Sequence, residues 1–295
     1  MKVFLTGATG FIGSAIVSEL INAGHKVLGL TRSDAGAKSL IAAGAEAHRG
    51  SIGDLDSLRS GAGKSDAVIH CAFDNDFSNI ASSSEQERRA LDALGDELLG
   101  SDRPLLITSV AAMGIALPGQ LATEDHFDPS QPFHVRGTEK AGAAVADRGV
   151  NVSVVRLPQV HNTLKQGLAT FLIQVARQKK VSAYIGDGVN RWAAAHLLDV
   201  AHLYRLVLEK HEAGSRYHAV GEEGIPLHQI ADLIGKGLQV PVISLSREEA
   251  QSHFGPTAML VEADMAASSR QTQHRLGWHP TGPGLLQDLE QTQYS

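Results

Sequence analysis

Eight residues, Thr6-Gly7-Ala8-Thr9-Gly10-Phe11-Ile12-Gly13, stand between a short apolar run at 1–5 and an amphipathic stretch at 14–23, and they constrain this chain more than any other feature. A strand that passes through a glycine-rich turn into a helix leaves the first helical amides unpaired and facing outward, where an anion can take them. In such a turn Gly7 supplies the sharp bend, Gly10 admits phosphates close to the backbone, and Gly13 lets the helix pack against the strand. The pattern predicts a dinucleotide diphosphate site formed by Gly7, Thr9, Gly10, Phe11, Ile12 and Gly13. The spacing is three and three, whereas the commoner fingerprint starts with two glycines one residue apart.

Downstream, apolar runs at 26–30, 45–48, 67–71, 105–109 and 152–156 alternate with helical patterns at 35–43, 55–60, within 78–99 and at 138–148. That alternation predicts an α/β fold, a Rossmann-type doubly wound parallel sheet with right-handed crossovers. Beyond residue 156 the rhythm breaks at Pro158, Gly167, the turn Gly186-Asp187-Gly188, Pro226, Pro241, Pro256 and Pro280, which predicts shorter elements. Residues 1–156 are therefore expected to form an NAD(P)-binding domain and 157–295 mainly a smaller C-terminal substrate-binding region. A helical run at 197–210 and a strand at 216–220 have the spacing of one more unit of the sheet, so 197–221 is expected to return to the first domain.

Composition narrows the function classes. A chain of 295 residues, 43% hydrophobic, can bury a large core, and a net charge of −6 with scattered Lys and Arg leaves no basic stripe for nucleic acid. No apolar run approaches the ~20 residues of a membrane span, and residues 1–5 read as a strand rather than a leader, so neither a membrane nor an export route is expected. The single cysteine, Cys71, suits a reducing compartment, and the expected location is cytoplasmic. The 14 histidines are dispersed, without a paired spacing that holds a metal.

The glycine turn, Gly53-Asp54-Leu55, the strand Val68-Ile69-His70-Cys71-Ala72-Phe73, the strand Leu106-Ile107-Thr108-Ser109 leading to Met113-Gly114, and Leu276-Gly277-Trp278 with Pro280 recur together. In these motifs the chain resembles the extended, NAD-dependent epimerase/dehydratase type of the short-chain dehydrogenase/reductase superfamily. The resemblance implies that Asp54 and Leu55 contact the adenine, while Cys71, Ala72 and Phe73 lie along the adenosine ribose and diphosphate. Asp54 could also cap the helix that begins at Leu55. At the end of the second strand, where NAD-binding proteins place a carboxylate on the ribose diol, the chain reads Leu30-Thr31-Arg32-Ser33. Arg32 and Ser33 could instead hold a 2′-phosphate, which favours NADP(H) over NAD(H).

The superfamily pairs a serine or threonine with Tyr-x-x-x-Lys, and here the pattern fails. Ser109 matches the serine, but the only tyrosines are Tyr184, Tyr204, Tyr217 and Tyr294. The helix expected to carry the pair reads Phe133-His134-Val135-Arg136-Gly137-Thr138-Glu139-Lys140, with Val135 in place of tyrosine and Glu139 in place of lysine, or Arg136 and Lys140 one residue on. The resemblance then implies an atypical member. Candidate proton donors are His161, after the strand at 152–156, and His134, 25 residues beyond Ser109, while Lys140 could reach the nicotinamide ribose. Tyr184, Asn190, Arg191, Trp192 and His196 resemble the substrate-facing stretch of extended relatives.

The reading is an NADPH-dependent oxidoreductase acting on a small carbonyl, imine or activated alkene, with a small-molecule substrate as its partner. The alternatives are a catalytically inactive NADP(H)-binding sensor and, less favoured without the tyrosine, a nucleotide-sugar epimerase or dehydratase. The helices at 78–99 and 138–148 could pair across a two-fold axis in a homodimer.

Overall fold

A computed structural model describes residues 1–73, 80–130 and 137–294. Seven strands form one fully parallel sheet: β1 (Lys2–Thr6), β2 (Lys26–Thr31), β3 (Glu46–Arg49), β4 (Ala67–His70), β5 (Leu105–Val110), β6 (Val152–Leu157) and, from much later, Arg216–His218. The spatial order from one edge is β3, β2, β1, β4, β5, β6 and the Arg216–His218 strand, so the chain reverses direction between β1 and β4. Ligands collect at that switch point, beyond the carboxyl ends of the strands.

Helices cover both faces because successive strand residues point opposite ways. On β1, Val3 and Leu5 join one core with Ile16, Val17 and Leu20 of α1 (Phe11–Asn22), while Phe4 joins another with Leu58 of α3 (Leu55–Gly63) and Leu91 and Leu94 of α4 (Ile80–Leu98). Burying each such side chain stabilises by roughly 1.5–3 kcal/mol. Between them in sequence, α2 (Asp34–Ala42) adds Leu40 to the first core, and α5 (Thr138–Ala146) adds Val145 to the second. The solvent side of α4 is charged: Arg88 bonds Glu85 and Asp92, and Arg148 reaches Asp96.

After β6 come β7 (Gln159–His161), α6 (Leu168–Lys179), β8 (Ser182–Ile185), β9 (Arg191–His196) and α7 (Leu197–Lys210). Then follow β10, the Arg216–His218 strand, β11 (Glu222–Pro226), α8 (Leu227–Leu238), β12 (Val242–Leu245), α9 (Arg247–Phe254), α10 (Ala258–Glu262), α11 (Arg270–Leu276) and α12 (Leu285–Gln291). Most of these elements are short, as the broken rhythm predicts, but α6 and α8 each run 12 residues. Pro226 caps α8 from outside, where a missing amide costs nothing, so the proline starts a helix instead of ending one. Helix α7 lays Val200, Leu203 and Tyr204 into the α1 core, and β10 pairs with β6. The second region has its own core, with Trp192, Leu172, Ile230 and Leu285 at its centre.

Candidate active site

A cleft of about 920 Å³ opens over the carboxyl ends of β1, β2, β4, β5 and β6. Its floor is main chain. Gly7 has φ +71°, a conformation that favours glycine, and a Cβ there would lie 2.9 Å from the Ala72 amide nitrogen. A Cβ on Gly13 would stand 2.0 Å from the Gly7 carbonyl oxygen, so Gly13 is demanded by the turn's own backbone more than by the strand behind it. Thr6 draws the two sheet halves together, its Oγ1 accepting from the amides of Cys71 and Ala72 at 3.2 Å each. Thr9, Gly10, Phe11 and Ile12 line the cleft with Gly7 and Gly13, and so do Cys71, Ala72 and Phe73. A floor where any Cβ would intrude, ending at the amino terminus of a 12-residue helix, fits a dinucleotide diphosphate.

At the adenosine end the sequence expectations divide. Thr31 and Arg32 line the cleft. Asp34, the nearest acid to Arg32 in sequence, pairs with Arg49 at 3.2 Å, and Arg32 makes no ion pair among the described residues. Ser33 is a correction: its hydroxyl accepts from the Gly36 amide at 3.0 Å and caps α2 instead of facing the cleft. Asp54 takes the capping role the sequence allowed, its carboxylate accepting from the Ser57 amide at 3.1 Å at the start of α3, and neither it nor Leu55, which packs beside the apolar core, lines the cleft. The wall there is made by the preceding Gly50, Ser51, Ile52 and Gly53.

The opposite end is lined by Thr108, Ser109, Val110, Leu157, Pro158 and Val160. Ser109 sits in register with Arg156 on the neighbouring strand. Arg156 is fully buried and bonds Glu139 through both carboxylate oxygens, Nε to Oε1 at 2.8 Å and Nη2 to Oε2 at 2.9 Å. Arg216 adds a bond to Oε2 at 3.0 Å. Burial raises the pKa of Glu139, but the bonds and charge of Arg156, the Ser109 hydroxyl and the charge of Arg216 outweigh it and hold the carboxyl below its ordinary range. Arg156 also donates to the carbonyls of Thr123 and His126, and lies 3.2 Å from Nε2 of His218. Burial first, and then the Arg156 charge, push His218 down to about 3, so the imidazole is neutral and its Nδ1 donates to the Ser268 carbonyl.

This cluster occupies the place where the resemblance led us to expect a lysine. Glu139 was readable there, but its partners were not. The signal was an arginine inside the apolar run Val152-Ser153-Val154-Val155-Arg156, because a charge on a central strand requires a buried counter-charge. Lys140, the next residue, is exposed on α5 and does not line the cleft, which corrects its expected ribose contact. One phenol does stand behind β5: the buried Tyr204 hydroxyl lies 2.7 Å from Oγ1 of Thr108, which donates to the His70 carbonyl at 2.8 Å.

The remaining candidates lie elsewhere. His161 is corrected: it is fully buried, its Nδ1 is 2.7 Å from Asp288, and burial depresses its pKa against the raising effect of that carboxylate. It staples β7 to α12 behind the cleft wall. Tyr184 packs edge-on against His228, and Asn190 donates to the carbonyls of Val261 and Ala263. Arg191 pairs with Asp264 at 2.7 Å, Trp192 is fully buried in the second core, and His196 caps α7. None of these five lines the cleft, so their substrate-facing role is corrected as well. His134 lies outside the described residues. The second region instead reaches the cleft through Lys165, Gly167, Thr170 and Gln174, none of which the sequence offered as a site residue.

A main-chain cradle at the switch point of a doubly wound sheet defines a Rossmann-type nucleotide-binding protein. Residues 3–221 match the family described as NAD dependent epimerase/dehydratase, and the chain belongs to that family. An uncharacterized protein of Schizosaccharomyces pombe is 46% identical over 100% of both chains. The sterol-4-alpha-carboxylate 3-dehydrogenase (decarboxylating) of Dictyostelium discoideum is 28% identical, over 76% of this chain and 72% of its own. Among solved structures, the dTDP-glucose 4,6-dehydratase of Streptomyces venezuelae, with NAD and TYD bound, superposes with a TM-score of 0.79 at 18% identity, covering 99% of this chain and 96% of that one. Among the described residues, no helix is long and apolar enough to cross a membrane.

Proposed function

We propose that this protein is an NADP(H)-dependent oxidoreductase of a small carbonyl, imine or activated-alkene substrate. The observation that carries the cofactor preference is Arg32, which lines the cleft at the end of β2 without an ion-pair partner among the described residues, while Thr31 stands where a carboxylate would repel a 2′-phosphate. Membership of a family that includes named dehydrogenases and dehydratases supports an enzyme. The bound nucleotide would supply the hydride. Gly7, Gly10, Gly13 and the amino end of α1 hold its diphosphate, and Cys71, Ala72 and Phe73 flank the adenosine side. Ser109, at the other end of the same cleft, orients the reacting oxygen or nitrogen, with Glu139 and Arg156 behind it fixing its position. With His161 buried away from the cleft, the proton comes from water or from a residue other than tyrosine, His134 being the remaining histidine candidate.

The test is titration with NADPH and NADH, followed by turnover on a carbonyl and imine panel. Arg32→Ala is expected to weaken NADPH about tenfold and leave NADH unchanged, a charge-assisted contact's worth. Ser109→Ala is expected to lower kcat about 100-fold with cofactor affinity retained. Equal loss for both nucleotides would remove the 2′-phosphate assignment. Tight NADPH binding without oxidation by any panel member would favour the sensor reading.

A further inference from the structure

Lys165 belongs to the second region, yet it lies against the cofactor turn of the first. Its Nζ is 5.8 Å from the centroid of the Phe11 ring, and Phe11 is the first residue of α1. Lysine and turn line one cleft, and Lys165 makes no ion pair among the described residues. The loop that carries it is built rather than slack. The Asn162 side chain accepts from the amides of Leu164 and Lys165 at 2.8 and 3.0 Å, and the Asn162 amide donates to the Lys165 carbonyl at 2.8 Å. Gln166, 1% exposed, anchors the loop from below, its Nε2 donating to the Asn162 carbonyl at 3.0 Å and to the Thr292 hydroxyl at 2.9 Å. A cation held in this way over a helix amino terminus faces the place where negative charge is best accommodated.

We propose that Lys165 reaches across the cleft to the diphosphate of the bound dinucleotide, so that the second region helps to hold the cofactor. This inference rests on the dinucleotide reading above. The glycine turn offers the diphosphate only dipoles, and the ammonium adds the one full positive charge this end of the cleft presents among the described lining residues besides Arg32. Because the diphosphate is common to both nucleotides, the contact is blind to the 2′-phosphate. That separates Lys165 from Arg32.

The experiment compares Lys165→Met, which keeps the apolar stem over Phe11 and removes the charge, with Lys165→Arg. Dissociation constants for NADPH, NADH, ADP-ribose and 2′-AMP are measured at several salt concentrations. Lys165→Met is expected to weaken NADPH, NADH and ADP-ribose by the same factor, about tenfold, and to flatten their salt dependence. It should leave 2′-AMP, which has no diphosphate, and thermal unfolding unchanged, while Lys165→Arg retains wild-type affinity. Unchanged affinity for all three diphosphates, or a loss confined to NADPH, would overturn the proposal and leave the cofactor reading standing. A wild-type protein that binds neither NADPH nor NADH would overturn both.

Discussion

The two ends of the cleft are built by opposite means. The diphosphate end is main chain from two neighbouring strand ends, shaped by glycines whose missing Cβ atoms leave room, and it buries no charge. The Ser109 end is made of side chains: a carboxylate from α5 held between guanidinium groups from β6 and β10, with Glu139 and Arg156 both shut away from water. One end recognises by shape and tolerates little added volume. The other depends on compensation, because a buried charge is stable only while its partner is present.

That contrast can be broken most forcefully at Arg156. Replacing it with methionine keeps much of the volume but strands Glu139, and should cost about 3–5 kcal/mol in urea unfolding. A loss under about 1 kcal/mol would mean that the Ser109 end is no more dependent on pairing than a surface site. Next comes Gly13→Ala, which forces a Cβ against the Gly7 carbonyl and should destabilise the fold by about 1–3 kcal/mol while abolishing measurable cofactor binding. Retained affinity would show that the cradle has slack.

The smallest effect is a pH dependence that comes mainly from the charged end. His218 is neutral when folded, with its pKa down at about 3, whereas an unfolded histidine titrates near 6.5. The unfolded chain therefore binds the extra proton first, and stability is lost as pH falls below about 6.5, by about 2 kcal/mol at pH 5 from this residue. His161, also depressed, adds to the slope in the same window. Glu139, depressed from the carboxylate range, contributes a loss only at lower pH, as pH falls through its folded value. His218→Gln should flatten the slope between pH 7 and 5, and an unaltered slope would assign the acid sensitivity elsewhere.

The cradle was legible in the sequence because its parts are contiguous: residues 6–13 contain strand end, turn and helix start, and the alternation that follows dictates the sheet. At the far end of the cleft the sequence named Asp54 and Ser33, whose side chains cap helices, while Gly50 to Gly53 and Arg32 line the space. The Ser109 end was less legible. Glu139 could be placed in the lysine position, but its pairing with residues 156 and 216 is a product of strand order, which local patterns do not encode. The polar run at 184–196 misled because Trp192 and Arg191 are as able to knit a second core as to meet a substrate. Lys165 went unnoticed because a lone lysine in a loop carries no pattern.

The triad of Arg156, Glu139 and Arg216 also limits how this site can change. Putting a lysine back at position 139 would crowd three cations around a space that now contains one anion. Glu139→Lys alone should therefore misfold, and only together with loss of both arginines could it be accommodated. A cation at position 139 is thus reached through combinations of substitutions rather than a single step.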